Sequence, residues 1–431
     1  MRIAIDCFHP ALKTGTGIAT YTRELSRLLT AAGHEVFPVF GLNGVGSDAD
    51  KFLQTLMVKG EVSRHDLRAW APRCLLGMPK FLARQPFAAR EILLRANGEE
   101  GVDIAQINDR LPAFRRLFNL PALYRGAQAR AFFFRAPTYI KLPADATPDI
   151  FHLTLPLPIS MKGVKKVVTV HDVIPLALPQ STEINLRHYT QMFQTALRDA
   201  DLICAISEQS KRDLMRFMHT PEEKIQVTGQ AVNLPARYRH LPDAEVARHV
   251  EEKFALRHKQ YFLFYGAIEP RKNVMRILEA FGLADTPYPI VIVGGYGWLY
   301  QDVQDFFQRN PSPEKFRRLD FVPFKDLMFL LKGARALVFP SLYEGFGLPV
   351  LEAMQMGCPV ITSHTTSLPE VGGDAALYVD PLDVPALARA IETLTSDTAS
   401  ITAMVEKGYI QAEKFSPAQH QTKLLAAYTR L

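Results

Sequence analysis

Glu344 and Glu352 bracket the densest run of chemistry-bearing residues in this 431-residue chain. The run reads Ser341-Leu342-Tyr343-Glu344-Gly345-Phe346-Gly347-Leu348-Pro349-Val350-Leu351-Glu352. Gly345 and Gly347 let the backbone come close to a ligand. Pro349 suits the first turn of a helix. The unpaired N–H groups at such a start favour phosphate and polar oxygens. Glu344 falls in the loop before that helix. Glu352 falls about a turn inside it, on the cleft side if Val350, Leu351 and Met354 face a sheet. A carboxylate inside an apolar helix needs a partner, and a pair of sugar hydroxyls is a good one.

Three further groups have the right chemistry to join it. Arg271 and Lys272 lie in Tyr265-Gly266-Ala267-Ile268-Glu269-Pro270-Arg271-Lys272-Asn273, where a strand gives way to a helix. Two adjacent cations at that place can neutralise a diphosphate. Thr14-Gly15-Thr16-Gly17-Ile18 precedes the first helix, as a ligand-facing glycine loop or as a plain turn. His171-Asp172 closes another strand. Two patterns are set aside. Asp48-Ala49-Asp50 has the spacing of a metal-binding D-x-D but sits away from any strand end, so it reads as a helix N-terminus. The histidines show no zinc spacing. No metal is expected.

Positioning such groups takes two α/β series. Ile3–Cys7, Glu35–Val39, Lys166–Val170, Leu202–Ile206 and Ile225–Val227 read as strands of the first, with a helical pattern over Thr20–Ala32. Ser207 reads as the N-cap of a helix running to about His219. Residues 235–258 are polar and read as a linker region. Tyr261–Tyr265, Ile290–Val293, Ala336–Phe339, Pro359–Thr362 and Ala376–Val379 are strands of the second series, alternating with helical patterns such as Val274–Phe281 and Leu348–Met356. Alternating βα units imply parallel sheets. Ligands of such sheets bind beyond the carboxyl ends of the strands. The expected fold is α/β, two Rossmann-like domains with parallel sheets facing a central cleft. The expected domains are 1–240, carrying a basic helical insertion over about 47–147, and 258–412, with 413–431 a helix packing back on the first domain.

Composition narrows the classes. Hydrophobic residues make up 48%, as in a globular protein. Cys7, Cys74, Cys204 and Cys358 form no CxxC pair, which argues against a disulfide framework or zinc ribbon and fits a reducing cytosol. The first residues read as a strand rather than a signal peptide, and no uncharged apolar run is long enough to span a bilayer. Net charge is +6, and its placement matters more than its sum. Arg110, Arg115, Arg116, Arg125, Arg130, Arg135 and Lys141 lie in a stretch with no acidic residue, interleaved with Phe118, Tyr124 and Phe132-Phe133-Phe134. Such a stretch suits an anionic membrane surface. It equally suits an ordinary insertion whose aromatics are core and whose arginines are solvated. It carries no nucleic-acid-binding motif.

The run from Ser341 to Glu352 resembles the E-x7-E element of the retaining family 4 glycosyltransferases, which have the GT-B architecture. Ala353-Met354 and Gly357-Cys358-Pro359-Val360-Ile361 resemble that family too. The resemblance implies that Glu344 binds the hydroxyls of the transferred sugar and Glu352 the nucleotide ribose. It implies that Gly345, Phe346, Gly347 and Leu348 contact sugar and phosphate through their amides, and that Arg271 and Lys272 hold the diphosphate. Gly15, Thr16 and Gly17 would lie against the donor phosphates, and His171 against the donor sugar. Gly294 would allow close approach of the nucleotide, and Val322 would flank the base. Many relatives carry an arginine where this chain has Ala267. Arg271 is the residue that could replace it.

The function so implied is retaining transfer of a hexose from a nucleotide sugar to a glycan or lipid-linked glycan in surface polysaccharide or O-antigen assembly. His171-Asp172-Val173-Ile174-Pro175 resembles a subset that uses GDP-mannose, which makes that the favoured donor. No cofactor beyond the donor is expected. The expected location is cytoplasmic, with a peripheral position on the inner face of the plasma membrane open. Two alternatives stand beside this: a sugar-nucleotide 2-epimerase of the same fold, and a non-catalytic membrane- or glycan-binding module.

Overall fold

In the computed structural model, residues 1–12, 17–43, 52, 55–56, 87–92, 111–310, 312 and 314–431 are described. Gly15, Thr16, Asp48, Asp50, Cys74 and Arg110 lie outside them.

Short apolar runs such as Ile290–Val293 and Ala336–Phe339 are buried at every position. Strands apolar on both faces belong in the middle of a parallel sheet covered by helices. Four such strands, with a less buried strand at each edge, form the second sheet. It runs Phe316–Leu319, Ile290–Val293, Phe262–Tyr265, Ala336–Phe339, Val360–Ser363, Leu377–Val379, all parallel. Numbered from Phe262–Tyr265, that order is 3-2-1-4-5-6. Its direction reverses between Phe262–Tyr265 and Ala336–Phe339, and a crevice opens beyond the carboxyl ends of strands at such a reversal. Arg271 and Lys272 follow the first of these strands, and Glu344 follows the second.

The first sheet has eight strands. Arg2–Asp6 sits between Glu35–Phe40 and Ile150–Leu153, and Lys165–Val170, Leu202–Ala205 and Ile225–Val227 extend the latter side. Its reversal lies beyond Asp6. Burial raises the Asp6 carboxyl to about pH 6, against opposing hydrogen bonds from Thr154 and Phe8. The strands expected from sequence appear within a residue of their ends.

Two readings need correction, and one strand went unread. Residues 235–258 are not a plain linker. Asp243–Phe254 is a helix whose Val246 and Val250 enter the second core, four residues apart on one face. The described part of the basic insertion is not simply helical. Leu117–Asn119 is a strand of the first sheet, pairing Phe118 with Val39, and Thr138–Lys141 belongs to a small third sheet. Phe316–Leu319 is an edge strand that its two arginines disguise. The last helix, Pro417–Tyr428, sets Leu424, Ala427 and Tyr428 against Ile3, Ile5 and Tyr21 of the first half. Among the described residues, no helix is long and apolar enough to cross a membrane.

Candidate active site

At the reversal of the second sheet, one carboxylate meets two cations. Lys272 Nζ donates to Glu344 Oε1 at 2.6 Å, and Arg271 Nη1 donates to Oε2 at 2.8 Å. Burial alone would raise the Glu344 carboxyl. Lys272 and Arg271 together outweigh it and hold the group below its ordinary value. Lys272 is pulled down by burial, only partly countered by Glu344. Arg271 is pushed up: burial opposes its charge, but Glu344, Glu269 and Asp172 prevail. The loops are tied by backbone as well. Leu342 N donates to Arg271 O at 2.8 Å, and Asn273 Nδ2 donates to Pro340 O at 3.0 Å.

Glu352 lies in the Leu348–Gln355 helix, in a different environment. The Tyr265 hydroxyl donates to it. Among the described residues no cation offsets burial, which pushes its carboxyl up to about 7. Sequence reasoning gave Glu352 a sugar hydroxyl as partner. The structure gives it the Tyr265 phenol.

The first half reaches the same place. Gly345 packs so tightly on His171 that a β-carbon there would stand 2.5 Å from the His171 carbonyl oxygen. Only glycine permits that approach. Ser207 Oγ donates to Gly345 O at 2.7 Å, and Ser210 Oγ donates to His171 O at 2.8 Å. Ser207 is thus both the N-cap of Glu208–Met218 and a strut between the two halves. Tyr343 Oη donates to Asp213 Oδ2 at 2.7 Å nearby. His171 Nε2 donates to Thr154 O at 3.0 Å, leaving Nδ1 as the acceptor nitrogen. Burial lowers its pKa to about 4, so the ring is neutral at pH 7. Gly17 begins the first helix, and a β-carbon on it would lie 3.9 Å from Leu348 Cδ1. The starts of these two helices therefore face each other.

The remaining candidates divide. Gly347 caps the Leu348 helix. Gly294 lies against Gly266, where a β-carbon would stand 2.0 Å from the carbonyl oxygen. Val322 is half-buried, beside Phe321, which is 84% exposed. The Phe346 ring is buried edge-on against Phe415, so only its backbone is left for a ligand. Sequence reasoning missed Glu269, Asp172, Tyr265, Ser210 and Tyr343. Of these, Glu269 had a visible signal, a carboxylate two residues before Arg271; Tyr265, Asp172 and Tyr343 stood inside the quoted segments without a role, and only Ser210 lies outside them.

Known proteins resemble this chain in sequence and fold. The model for glycosyl transferases group 1 matches residues 248–411, and that for glycosyltransferase family 4 matches 114–234. The O-antigen chain mannosyltransferase B of Escherichia coli is 34% identical over 272 residues, covering 62% of this chain and 71% of that protein. This chain belongs to the family 4 glycosyltransferases. The serotype-specific mannosyltransferase WbdA of Escherichia coli is 28% identical over 310 residues, 67% of this chain but only 37% of that longer protein. Sucrose-phosphate synthase from Thermosynechococcus elongatus superposes with a TM-score of 0.67 over 99% of this chain and 98% of its own, at 17% identity. That likeness shows the GT-B fold. Family 4 enzymes use nucleotide-sugar donors.

Proposed function

We propose that this glycosyltransferase moves mannose from GDP-mannose, with retention, to a glycan or lipid-linked glycan during O-antigen or related surface polysaccharide assembly. The carrying observation is the contact of Arg271 and Lys272 with Glu344 at the reversal of the second sheet. The names of the two Escherichia coli relatives support mannose and O-antigen.

On this reading the donor diphosphate lies against Arg271, Lys272 and the N–H groups that open the Leu348 helix. The Glu344 carboxylate accepts from sugar hydroxyls while its cations turn to phosphate. Glu352 takes the ribose in place of the Tyr265 hydroxyl. His171 Nδ1 accepts from a sugar hydroxyl, and the phosphates are assigned to the loop of Gly15, Thr16 and Gly17. The acceptor hydroxyl attacks the anomeric carbon as its bond to the diphosphate breaks. The acceptor proton passes to a leaving phosphate oxygen on the same face. Stabilising the charge that grows on that phosphate is the rate-raising role of Arg271 and Lys272. A lipid-linked acceptor would bring the enzyme to the inner face of the plasma membrane.

The test is a panel of nucleotide sugars assayed for transfer with and without a mannosylated acceptor. GDP-mannose should be consumed fastest, and turnover should rise with acceptor. Preference for a UDP-sugar would overturn the donor. A C2-epimer formed without acceptor would overturn transfer.

A further inference from the structure

Three consecutive phenylalanines close the helix Leu123–Phe134, and they face water. Phe132, Phe133 and Phe134 are 49%, 52% and 51% exposed. Their rings touch in sequence, with centroids 4.9 Å apart for the first pair and 6.5 Å for the second. Phe132 also meets the His188 ring at 4.8 Å. The helix already has a buried face in Leu123, Tyr124, Ala127 and Ala131, so the phenylalanines are not needed to seat it. The helix end is held in place. Gln191 Nε2 donates to the carbonyls of Ala131 and Phe132 at 2.7 and 2.8 Å, and the Arg135 N–H donates to Ala131 O at 3.0 Å. A fixed, contiguous apolar knob on a soluble surface marks a contact.

The surrounding charge indicates the partner. Arg135, Arg187 and Arg198 are exposed, and none of them forms an ion pair with a described residue. Arg135 follows the knob, Arg198 Nη1 donates to the Arg135 carbonyl at 3.3 Å, and Arg187 precedes the His188 that lies on Phe132. Asp199, next to Arg198, is turned to Lys166 at 2.6 Å. Elsewhere in the basic stretch, Arg115, Arg116 and Arg130 are already engaged. Arg115 reaches Glu35 at 3.6 Å, and Arg116 pairs with Glu91 and Asp145. Phe118 and Tyr124 are core. Among the described residues of the stretch, the exposed aromatic rings therefore gather at one corner. Aromatic rings rimmed by arginines match an anionic lipid surface, where rings enter the headgroup boundary and guanidinium groups meet phosphates. A second copy of this face would set arginines against arginines.

We propose that Phe132, Phe133 and Phe134, with Arg135, Arg187 and Arg198, dock the enzyme on an anionic membrane. The lipid-linked acceptor of the functional reading gives this docking its purpose, but the test does not depend on it. Full-length protein is co-sedimented with vesicles of phosphatidylglycerol and phosphatidylcholine, and with phosphatidylcholine alone. It should bind the anionic vesicles and be released by salt. The triple variant Phe132→Ser, Phe133→Ser, Phe134→Ser should bind at least about tenfold more weakly. Arg135→Glu, Arg187→Glu, Arg198→Glu should bind about 100-fold more weakly. Both variants should keep wild-type donor hydrolysis in solution, which separates lost docking from lost folding. Equal binding to neutral vesicles, or unchanged binding by the phenylalanine variant, would overturn the proposal. So would a dimer in sedimentation velocity that the phenylalanine variant abolishes. Failure of the donor panel with vesicle binding intact would overturn only the functional reading.

Discussion

Glu344 and Glu352 share a residue type and stand at the two ends of one loop-and-helix segment, yet their surroundings drive them apart. Around Glu344 the chain brings in Lys272 and Arg271, and the carboxyl is held charged. Around Glu352, among the described residues, it brings in only the Tyr265 hydroxyl, and burial lifts the carboxyl to about 7. On the proposed reading, the first pocket exchanges charge with a charged ligand. The second, on the same reading, holds hydroxyl groups, and the Tyr265 hydroxyl is bonded there. Burial acts in the same direction on both, so the neighbours decide the protonation state.

The widest gap should be in catalysis. Lys272→Ala, or Glu344→Gln, should lower transfer by about 100-fold or more, the size expected when a group facing the developing charge is lost. Full activity in either variant, measured by product release, would remove Glu344 and its cations from the site. Glu352→Gln should do less, raising the donor KM about tenfold with kcat nearly unchanged, because it loses binding made equally in ground and transition states.

The same contrast has a stability signature of opposite sign. Glu352 is raised in the folded state above its ordinary 4.5. Its contribution is therefore fully present below pH 4.5 and is lost as pH rises to about 7, a change of up to about 3 kcal/mol. Glu344 is lowered in the folded state, so its contribution is present above its ordinary pKa and is lost as pH falls through the lowered value. Urea unfolding of Glu352→Gln against wild type between pH 4.5 and 8 should show the variant gaining relative stability as pH rises. A constant difference would contradict the raised carboxyl.

Smaller effects probe the supports. Glu269 accepts from Arg271 Nε at 3.0 Å and is buried beside Gly297. Glu269→Gln should raise the donor KM by about fivefold, about 1 kcal/mol of weakened charge-assisted bonding. Ser207→Ala removes a helix cap together with the bond to Gly345, and should cost about 1 kcal/mol in unfolding free energy.

Much of this site was legible because its chemistry is local. Arg271-Lys272 and Glu344 each follow an apolar strand, and a strand end before a helix is readable from hydrophobic period alone. The partners were less so. Tyr265 was read as the last residue of a strand, yet its side chain crosses to a helix 87 positions later. Ser207 was read as a cap, which it is, but its second bond depends on how the two halves meet. The basic stretch misled in the other direction. Composition counted Arg115 and Arg116 as free charge, while the fold pairs them with acids from Glu35, Glu91 and Asp145.

The contrast between the two glutamates can be measured directly by carbon-13 NMR titration of the glutamate carboxyls, each resonance assigned by its Gln variant. The Glu352 carboxyl should titrate near pH 7. The Glu344 carboxyl should remain ionised below pH 4.5 and move up when Lys272 is replaced by alanine. Two glutamates titrating together near 4.5, with Glu344 unmoved by Lys272→Ala, would contradict the account.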